Sequence, residues 1–426
     1  MRRLPLAIPT LLLALAGPLQ AQDYPAEVSR LMEDPAVQEA IRHIEDTDAR
    51  TMEDLRELTQ IPAPPFMEEE RGLRFLEMVR DAGVDSAWID EEGNVLGLRR
   101  GTGSDEVLAI SGHLDTVFPE GTDVSIQQRG DTLFAPGIAD DTRGLATILA
   151  ILRAMNETGI ETAGDVLFVG TVGEEGVGDL RGMKHLFREG GPRIDYFISV
   201  DGTGASGITH QALGSHRYRV TFVGPGGHSW GAFGLVNPHH ALGRAIRYFQ
   251  DGADAYVREA AYRTSYNVGR IGGGTSVNSI PFESWMEIDM RSEGVQTLNE
   301  IDAILQGAIQ RAVAEENRLR QQGEPLSVEV DMIGDRPSGE IAADHPFVAR
   351  ASAVTRAMGL EPDLGRSSTD SNVPISMGVP AMTIGGGGEG RYAHSLDEWF
   401  RNDDGPRGIQ RAMLILLSQI GLAQAS

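Results

Sequence analysis

Short apolar segments alternate with longer amphipathic ones through the first half of the chain. The apolar segments are "NVLGLRR", "EVLAISGHLDTV", "DVLFVGTV" and "DYFISVDG", and each has the length of a buried strand. Between them, "DTRGLATILAILRAMNETG" and "LRGMKHLFREGG" have the length and spacing of helices. This alternation is typical of a mostly parallel sheet covered by helices. It predicts an α/β fold whose ligand groups gather at the carboxyl ends of the strands.

The pattern changes near Gly214, where "HRYRVTFVG" alternates like a half-exposed strand. A helix, two strands, a long amphipathic helix and the strand "LSVEVDMIG" follow, which indicates a small antiparallel α+β unit. The first pattern then returns, with the strand "PAMTIG" and a helix from about Gly405 to the end. We therefore predict one α/β domain, residues 22–214 and 333–426, interrupted by an inserted unit at 215–332.

The first 21 residues have the pattern of an export signal. Arg2 and Arg3 precede the apolar run "LPLAIPTLLLALAGPL", and "LQA" ending at Ala21 offers a small residue for cleavage. The run is too short and too interrupted by proline for a comfortable membrane span, although an uncleaved anchor is the alternative. We expect a periplasmic or secreted protein that is free of the membrane after cleavage.

Composition narrows the choice of partners. The chain has 426 residues, and 41% hydrophobic and 23% charged residues are ordinary for a globular protein. Its formal net charge of −25 argues against binding nucleic acid or anionic lipid, because both require a cationic surface. With no cysteine, the protein has no disulfide and depends on its core for stability.

Acidic and imidazole side chains follow the predicted strands at several points. Each alone is typical of a turn or a cap. Gathered at one edge of a sheet they would repel each other and be costly to desolvate unless a cation were present. The set comprises His113, Asp115, Asp140, Asp141, Glu174, Glu175, Asp201 and His394.

Imidazole together with carboxylate is the ligand set of zinc, with manganese or cobalt as tolerable substitutes. Two histidines and three carboxylates, one of them bridging, suffice for two ions about 3.5–4 Å apart that share a water. In the adjacent pair Glu174 and Glu175, one carboxylate can bind metal while the other takes a proton from that water.

The motifs "HLD", "ADD" and "EE", in this order, resemble those of the co-catalytic zinc exopeptidases, the family that contains carboxypeptidase G, peptidase T, bacterial dipeptidases and the aminoacylases. The resemblance covers about residues 45–420. It implies that Asp115 orients the ring of a histidine ligand, that Glu174 is the general base and acid, and that the Asp140–Asp141 peptide bond is cis. The ligands of two zinc ions would be His113, Asp140 as the bridge, Glu175, Asp201 and His394.

The inserted unit resembles the lid and dimerisation domain of that family. The resemblance implies a homodimer in which His228, in "GPGGHS", reaches the partner's active site and holds the oxyanion. Asn278, Arg291 and Asp370 would contact the substrate, Asp370 standing in "SSTDSNVP" where relatives have "GTDA". The loop "GGGGEG" at 385–390 is expected to let backbone amides approach a ligand carboxylate.

Another departure from the family pattern follows the bridging aspartate. Many relatives carry a lysine shortly after it, whereas this chain has Arg143. The departures leave the metal ligands intact but make the substrate subclass less certain.

The resemblance implies an exopeptidase that hydrolyses di- or tripeptides, and the N-terminal pattern predicts that it is exported. An N-acyl-amino-acid amidohydrolase of the same fold is the alternative within the enzyme class. A non-catalytic binding protein is the alternative from another class. Such a protein would be expected to lose the general base or a ligand, and this chain keeps Glu174 and all five presumed ligands.

Overall fold

The computed structural model describes residues 23–423. The predicted signal at residues 1–21 lies outside the described residues. Among the helices of the described part, none has both the length and the apolar character needed to cross a membrane.

Helices predicted from the pattern are found close to their expected bounds, and the polar opening of the chain divides into three. Asp34 separates the first two, because its carboxylate accepts hydrogen bonds from the backbone of Ala36 and Val37 while Pro35 occupies the first helical position. In chain order the helices are α1 (Tyr24–Glu33), α2 (Pro35–Asp46), α3 (Asp48–Thr59), α4 (Glu69–Ala82), α5 (Thr142–Glu157), α6 (Arg181–Leu186), α7 (Pro238–Glu259), α8 (Val295–Leu319), α9 (Pro346–Ala357), α10 (Asn372–Ser376) and α11 (Gly405–Ile420).

The strands include every longer segment that the pattern predicted and several short ones that it did not. They are β1 (Ser86–Ile89), β2 (Val95–Arg99), β3 (Val107–His113), β4 (Gln127–Arg129), β5 (Thr132–Phe134), β6 (Asp165–Thr171), β7 (Tyr196–Val200), β8 (Gly207–Ala212), β9 (Gly214–Val223), β10 (Gly227–His228), β11 (Thr264–Gly273), β12 (Ser279–Ile280), β13 (Glu283–Ser292), β14 (Ser327–Arg336), β15 (Gly339–Glu340), β16 (Asp363–Ser367), β17 (Ala381–Ile384), β18 (Glu389–Arg391) and β19 (Trp399–Arg401).

The main sheet has nine strands in the order β1-β2-β6-β3-β7-β17-β8-β15, with β16 paired to β8. Its central strands β6, β3, β7 and β17 run parallel to one another. Strands β1 and β2 add to the sheet antiparallel, and β8 pairs antiparallel to β17 at the other side. The predicted α/β fold with a mostly parallel sheet is confirmed.

Helix α5 packs against β3, β6 and β7 and supplies much of the core. Two glycines allow its first turn to approach the sheet closely. A Cβ on Gly112 would lie 2.7 Å from the backbone nitrogen of Leu145, and one on Gly144 would lie 2.2 Å from the carbonyl oxygen of Val200. The amino-terminal end of α5 is thereby brought next to the carboxyl ends of β3 and β7.

A second sheet, of four strands in the order β11-β13-β9-β14, is antiparallel throughout. Helices α7 and α8 pack on it and share a separate core with its buried side chains, among them Val220 and Met286, to which α8 contributes Ile301. This sheet and its helices occupy residues 214–336, and the domain bounds of 215–332 stay a prediction.

Two small sheets lie outside the predicted pattern. Strands β18, β19, β5 and β4 form one, and β10 pairs with β12 in the other. Their strands are two or three residues long, too short to produce a periodic signal in the sequence.

Candidate metal centre

The carboxyl ends of the central strands bring the predicted ligands to one edge of the main sheet. Strand β3 ends at His113, and the loop after β6 carries Glu174 and Glu175. Asp201 directly follows β7, and His394 follows the short strand β18. Parallel strands that end at the same edge thus gather residues that are far apart in the sequence.

Three overlapping groups of side chains there have ligand atoms within 4.8 Å of one another. The groups are His113 with Glu174 and Glu175; His113 with Asp140 and Asp201; and Asp140 with Glu175 and His394.

Asp140 lies between the two histidines. Nε2 of His113 is 3.0 Å from Asp140 Oδ1, and Nε2 of His394 is 3.1 Å from Asp140 Oδ2. The same nitrogen of His394 is 2.8 Å from Glu175 Oε1. A carboxylate with one oxygen toward each imidazole has the arrangement needed to bridge two ions, and nitrogen with oxygen donors fits zinc.

The charges of the cluster also fit a cation. Burial raises the pKa of Glu174 to about 8, against the opposing effect of the Arg336 guanidinium. Burial, with the neighbouring carboxylates of Asp140 and Asp141, holds the pKa of Asp201 well above its usual range. A bound divalent cation would favour the ionised form of each of these groups.

Asp115 ties a histidine to the glutamate loop. Its backbone oxygen is the hydrogen-bond partner of Nδ1 of His113, at 3.0 Å, while its carboxylate oxygen Oδ1 lies 3.6 Å from the same nitrogen. Its two carboxylate oxygens accept hydrogen bonds from the backbone nitrogens of Glu174, at 3.0 Å, and Glu175, at 2.7 Å. The fully buried Asp115 can therefore orient the His113 ring and the two adjacent glutamates at once.

The peptide bond between Asp140 and Asp141 is cis, as the resemblance implied. The two carboxylates serve different purposes. Asp141 is buried and caps α5 by accepting from the backbone of Gly144, and it also accepts from the backbone of His113 at 3.0 Å. It belongs to the scaffold of the site, while Asp140 belongs to the ligand cluster.

Glu398 is a residue that the sequence reasoning missed. Its side chain is fully buried and accepts three hydrogen bonds from the backbone that leads to Asp140: from Gly137 and Ala139 at 2.8 Å and from Asp140 at 3.1 Å. The signal was present in "YAHSLDEW", where Glu398 stands four residues after His394. Glu398 thus joins the loop that carries one ligand to the loop that carries another.

Arg336 was also missed. It is buried at the end of β14, and its Nη1 donates to Glu174 Oε1 and to Ser368 Oγ, both at 3.2 Å. Its Nη2 donates to the backbone oxygen of Glu174. A guanidinium from the second sheet thereby contacts the predicted general base.

Arg143, the departure from the family lysine, is fully buried and donates to the backbone oxygens of Gly386 and Gly405. It joins α5 to the glycine loop at 385–390.

The expectation that the backbone amides of this glycine loop serve a ligand is wrong for two of them. The nitrogens of Gly386 and Gly387 donate to backbone oxygens of the loop after β7, at 3.0 Å each.

A cavity of about 390 Å³ opens over the cluster and has two walls. We name as the metal wall the residues on the edge of the main sheet, which are Asp140, Glu174, Glu175, Asp201 and His394. The arginine wall consists of Arg217, Arg291 and Arg336. Ser367, Ser368 and Thr369 complete the lining together with Val117 and Gly176.

The predicted substrate contacts are not all in this cavity. Arg291 lines it, whereas Asp370 is buried and accepts a hydrogen bond from Thr171 at 2.5 Å. His228 and Asn278 are both exposed: His228 ends β10, and Asn278 directly precedes β12, where its backbone oxygen accepts a hydrogen bond from the backbone nitrogen of Ser229. Neither His228 nor Asn278 is among the described residues that line the cavity.

Fold and cluster together define a metal-dependent hydrolase that acts on peptide or amide bonds. The chain belongs to peptidase family M20/M25/M40, whose family model matches residues 109–418.

Among similar proteins, a putative [LysW]-lysine/[LysW]-ornithine hydrolase of Pyrococcus abyssi is 29% identical over 356 residues, which cover 80% of this chain and 86% of that protein. A succinyl-diaminopimelate desuccinylase of Corynebacterium glutamicum is 24% identical over 345 residues, 80% of this chain and 89% of that protein. The crystal structure of a tripeptidase from Staphylococcus aureus has a TM-score of 0.71 at 21% identity, and covers 87% of this chain and 98% of that chain.

Proposed function

We propose that this protein is an exported di-zinc exopeptidase that hydrolyses di- or tripeptides. The observation that supports it most is the convergence of the ligand groups around Asp140, with Glu174 buried beside them. The similarity to a tripeptidase structure agrees with a cavity as small as about 390 Å³, which suits a short substrate.

The residues that would hold the metals are His113, Asp140, Glu175, Asp201 and His394. Zinc fits this nitrogen and oxygen set, and cobalt or manganese would be tolerated. Two such ions would polarise the scissile carbonyl and lower the pKa of a shared water.

Glu174 takes a proton from the attacking water and returns it to the nitrogen of the leaving amine. Its position suits this task, because its carboxylate is within reach of the ligand cluster and its backbone nitrogen is held by Asp115. Arg336 donates to one oxygen of the same carboxylate and so restrains its rotation.

His228 would steady the tetrahedral oxyanion from the second subunit of a homodimer. Its exposure, and that of the large apolar side chains around it, supports a partner surface on the lid. Trp230 is 88% exposed and Phe233 is 73% exposed. Strand β11 is also an edge of its sheet, which leaves backbone groups free for pairing.

The alternative is an N-acyl-amino-acid amidohydrolase. The similarity to a desuccinylase and the arginine wall favour it, because acylated amino acids present a carboxylate close to the scissile amide.

The test is hydrolysis of a panel of dipeptides, tripeptides and N-acyl amino acids by the zinc-loaded protein, with a chelated sample as the control. We expect release of amino acids from short peptides that stops on chelation and returns with zinc. Turnover of acyl amino acids alone would favour the deacylase, and no turnover with two metals bound would favour a binding protein. Export is tested separately, by finding a mature chain that starts near Gln22 outside the cytoplasm.

A further inference from the structure

The lining of the cavity indicates what kind of substrate group it accepts. Among the described residues that line it, Val117 is the only one with an apolar side chain. The other side chains are charged or carry hydroxyl groups. An apolar substrate side chain would leave these groups unpaired and desolvated, which is costly, so the cavity suits a polar group.

Two arginines of the arginine wall share a single acidic partner. Asp289 lies opposite Arg217 in the β13–β9 pairing, and Arg291 is two residues further along β13, so all three are on one face of the sheet. Asp289 Oδ1 accepts from Arg217 Nε at 2.9 Å, and its Oδ2 accepts from Arg291 Nε at 2.8 Å. Hydrogen bonds from these guanidiniums lower the pKa of Asp289 although burial opposes them, so one negative charge balances two positive ones.

The geometry leaves the ends of both guanidiniums available. Each arginine bonds Asp289 through Nε, and Arg217 also donates from Nη1 to the backbone oxygen of Gly176 at 3.1 Å. Within residues 23–423 the structure gives the terminal nitrogens of Arg291 no hydrogen-bond partner, and the same is true of Nη2 of Arg217. Arg336, by contrast, is occupied by Glu174 and Ser368.

The surplus charge lies close to the metal wall. Gly176 directly follows Glu175, so its contact places the Arg217 guanidinium one residue from a predicted ligand. A substrate amide at the metal wall would therefore have its neighbouring residue within reach of both arginines.

We propose that Arg217 and Arg291, held by Asp289, form a two-guanidinium subsite. It selects substrates in which the residue on the carboxyl side of the scissile amide is aspartate or glutamate. Arg291, which the family resemblance already implied to contact the substrate, takes the α-carboxylate of that residue; the new element is Arg217, which takes its acidic side chain. Planar guanidiniums suit both carboxylates, and such charge-assisted hydrogen bonds are about twice as strong as neutral ones. The inference rests on the proposed function and names the substrate class of the same site.

The experiment compares Ala-Glu with Ala-Gln, which differ by one charge at nearly constant size. The zinc-loaded wild type should hydrolyse Ala-Glu with a kcat/KM about tenfold or more above that for Ala-Gln. Arg217→Gln should reduce that preference to about one, mainly by raising the KM for Ala-Glu, so that hydrolysis of Ala-Glu falls far more than hydrolysis of Ala-Gln. Arg217→Lys, which keeps the charge but not the fork, should retain part of the preference.

Arg219→Gln is the matched control. Arg219 is on the same strand and face, two residues along, and pairs with Glu287 at 2.7 Å over the ring of Trp285, but it does not line the cavity. Its replacement should leave the preference intact. A second readout is calorimetric binding of glutarate, which should be weakened by Arg217→Gln and not by Arg219→Gln.

The outcomes separate this inference from the proposed function. Equal hydrolysis of the two dipeptides by the wild type would overturn the acidic subsite while leaving the exopeptidase intact. An equal loss for both dipeptides in folded Arg217→Gln, with glutarate binding unchanged, would show that Arg217 only supports the loop at Gly176. Failure of the wild type to hydrolyse any dipeptide, with glutarate still bound through Arg217, would contradict the proposed function alone.

Discussion

The two walls of the cavity differ in charge, in origin and in how their residues are held. The metal wall comes from the loops at the carboxyl ends of the main sheet, where the buried carboxylates of Asp115 and Glu398 accept hydrogen bonds from the backbone that carries Asp140, Glu174 and Glu175. The arginine wall comes from strands of the second sheet, where Arg217 and Arg291 are held by a single carboxylate. In our account, the difference separates reaction from selection: one wall performs the hydrolysis, and the other chooses the substrate.

Among the tests of this difference between the walls, replacing His228 should have the largest effect. Within one chain, His228 lies in neither wall. His228→Ala should leave the zinc content unchanged and lower kcat by about 10²-fold, since an oxyanion donor would be lost. Steady-state kinetics with metal analysis would measure both.

Mixing this variant with Glu174→Gln tests whether His228 acts across a dimer. A heterodimer would contain one intact site, so subunit exchange between the two inactive proteins should restore about a quarter of the wild-type rate. Full activity of a strictly monomeric sample, or no recovery on mixing, would contradict a role in trans.

Glu398 tests how the metal wall is held. Glu398→Ala removes the acceptor of three backbone hydrogen bonds beside Asp140, so the affinity for zinc should fall by about 10- to 100-fold. Competition with a chromophoric chelator would measure it, and Glu398→Gln should show a smaller loss because it keeps one acceptor oxygen.

Glu389 is a suitable control. It is on β18, which pairs with β19, the strand that directly follows Glu398, and it forms ion pairs with Arg391 and Arg401. Glu389→Ala should bind zinc as the wild type does. Equal zinc affinity in the Glu398 and Glu389 variants, both folded, would show that Glu398 does not position the ligand.

The smallest effect expected is a pH dependence confined to the metal wall. In the metal-free protein burial raises the pKa of Glu174 to about 8 from 4.5. Hydrogen bonds to Asp140 and Glu175 raise the pKa of His394 to about 10 from 6.5. At a pH between its ordinary pKa and its raised pKa, each group binds more protons in the folded state than in the unfolded chain. The free energy of unfolding should therefore fall as the pH rises from about 5 to 8.

Thermal unfolding of the chelated protein across that range would show the effect as a falling Tm. Saturating zinc should raise the Tm most at the upper end, because metal binding there has fewer protons to displace. Glu174→Gln cannot ionise and should have a shallower slope. A Tm of the chelated wild type that stays constant or rises with pH would contradict this assignment of charges.

Most of the candidate metal site was open to sequence reasoning, because His113, Glu174, Glu175 and Asp201 end apolar strands or come soon after them. His113 ends β3 and Asp201 follows β7, so predicting the strands and their parallel order was enough to bring the side chains together. The central strands of the main sheet were predictable for the same reason, since each is an almost unbroken apolar run.

The arginine wall was not predictable in this way, and Arg291 was expected near the substrate only from the family resemblance. Arg217 and Arg336 are on strands whose positions alternate between more and less buried, where an arginine is usually a surface residue. Only the register of β9 against β13 and β14 brings them to one cavity, and register cannot be read from a single strand. The proposed role of His228 across a homodimer would likewise depend on two chains and not on one.

The most direct test of the account is to measure bound zinc and turnover together in Glu174→Gln. The account predicts two zinc ions per chain, as in the wild type, and a kcat lower by about 10³-fold or more, because the ligands are intact while the proton acceptor is lost. Wild-type turnover by this variant, or loss of the metals along with the activity, would contradict the assignment of Glu174 as the base beside a separate set of ligands.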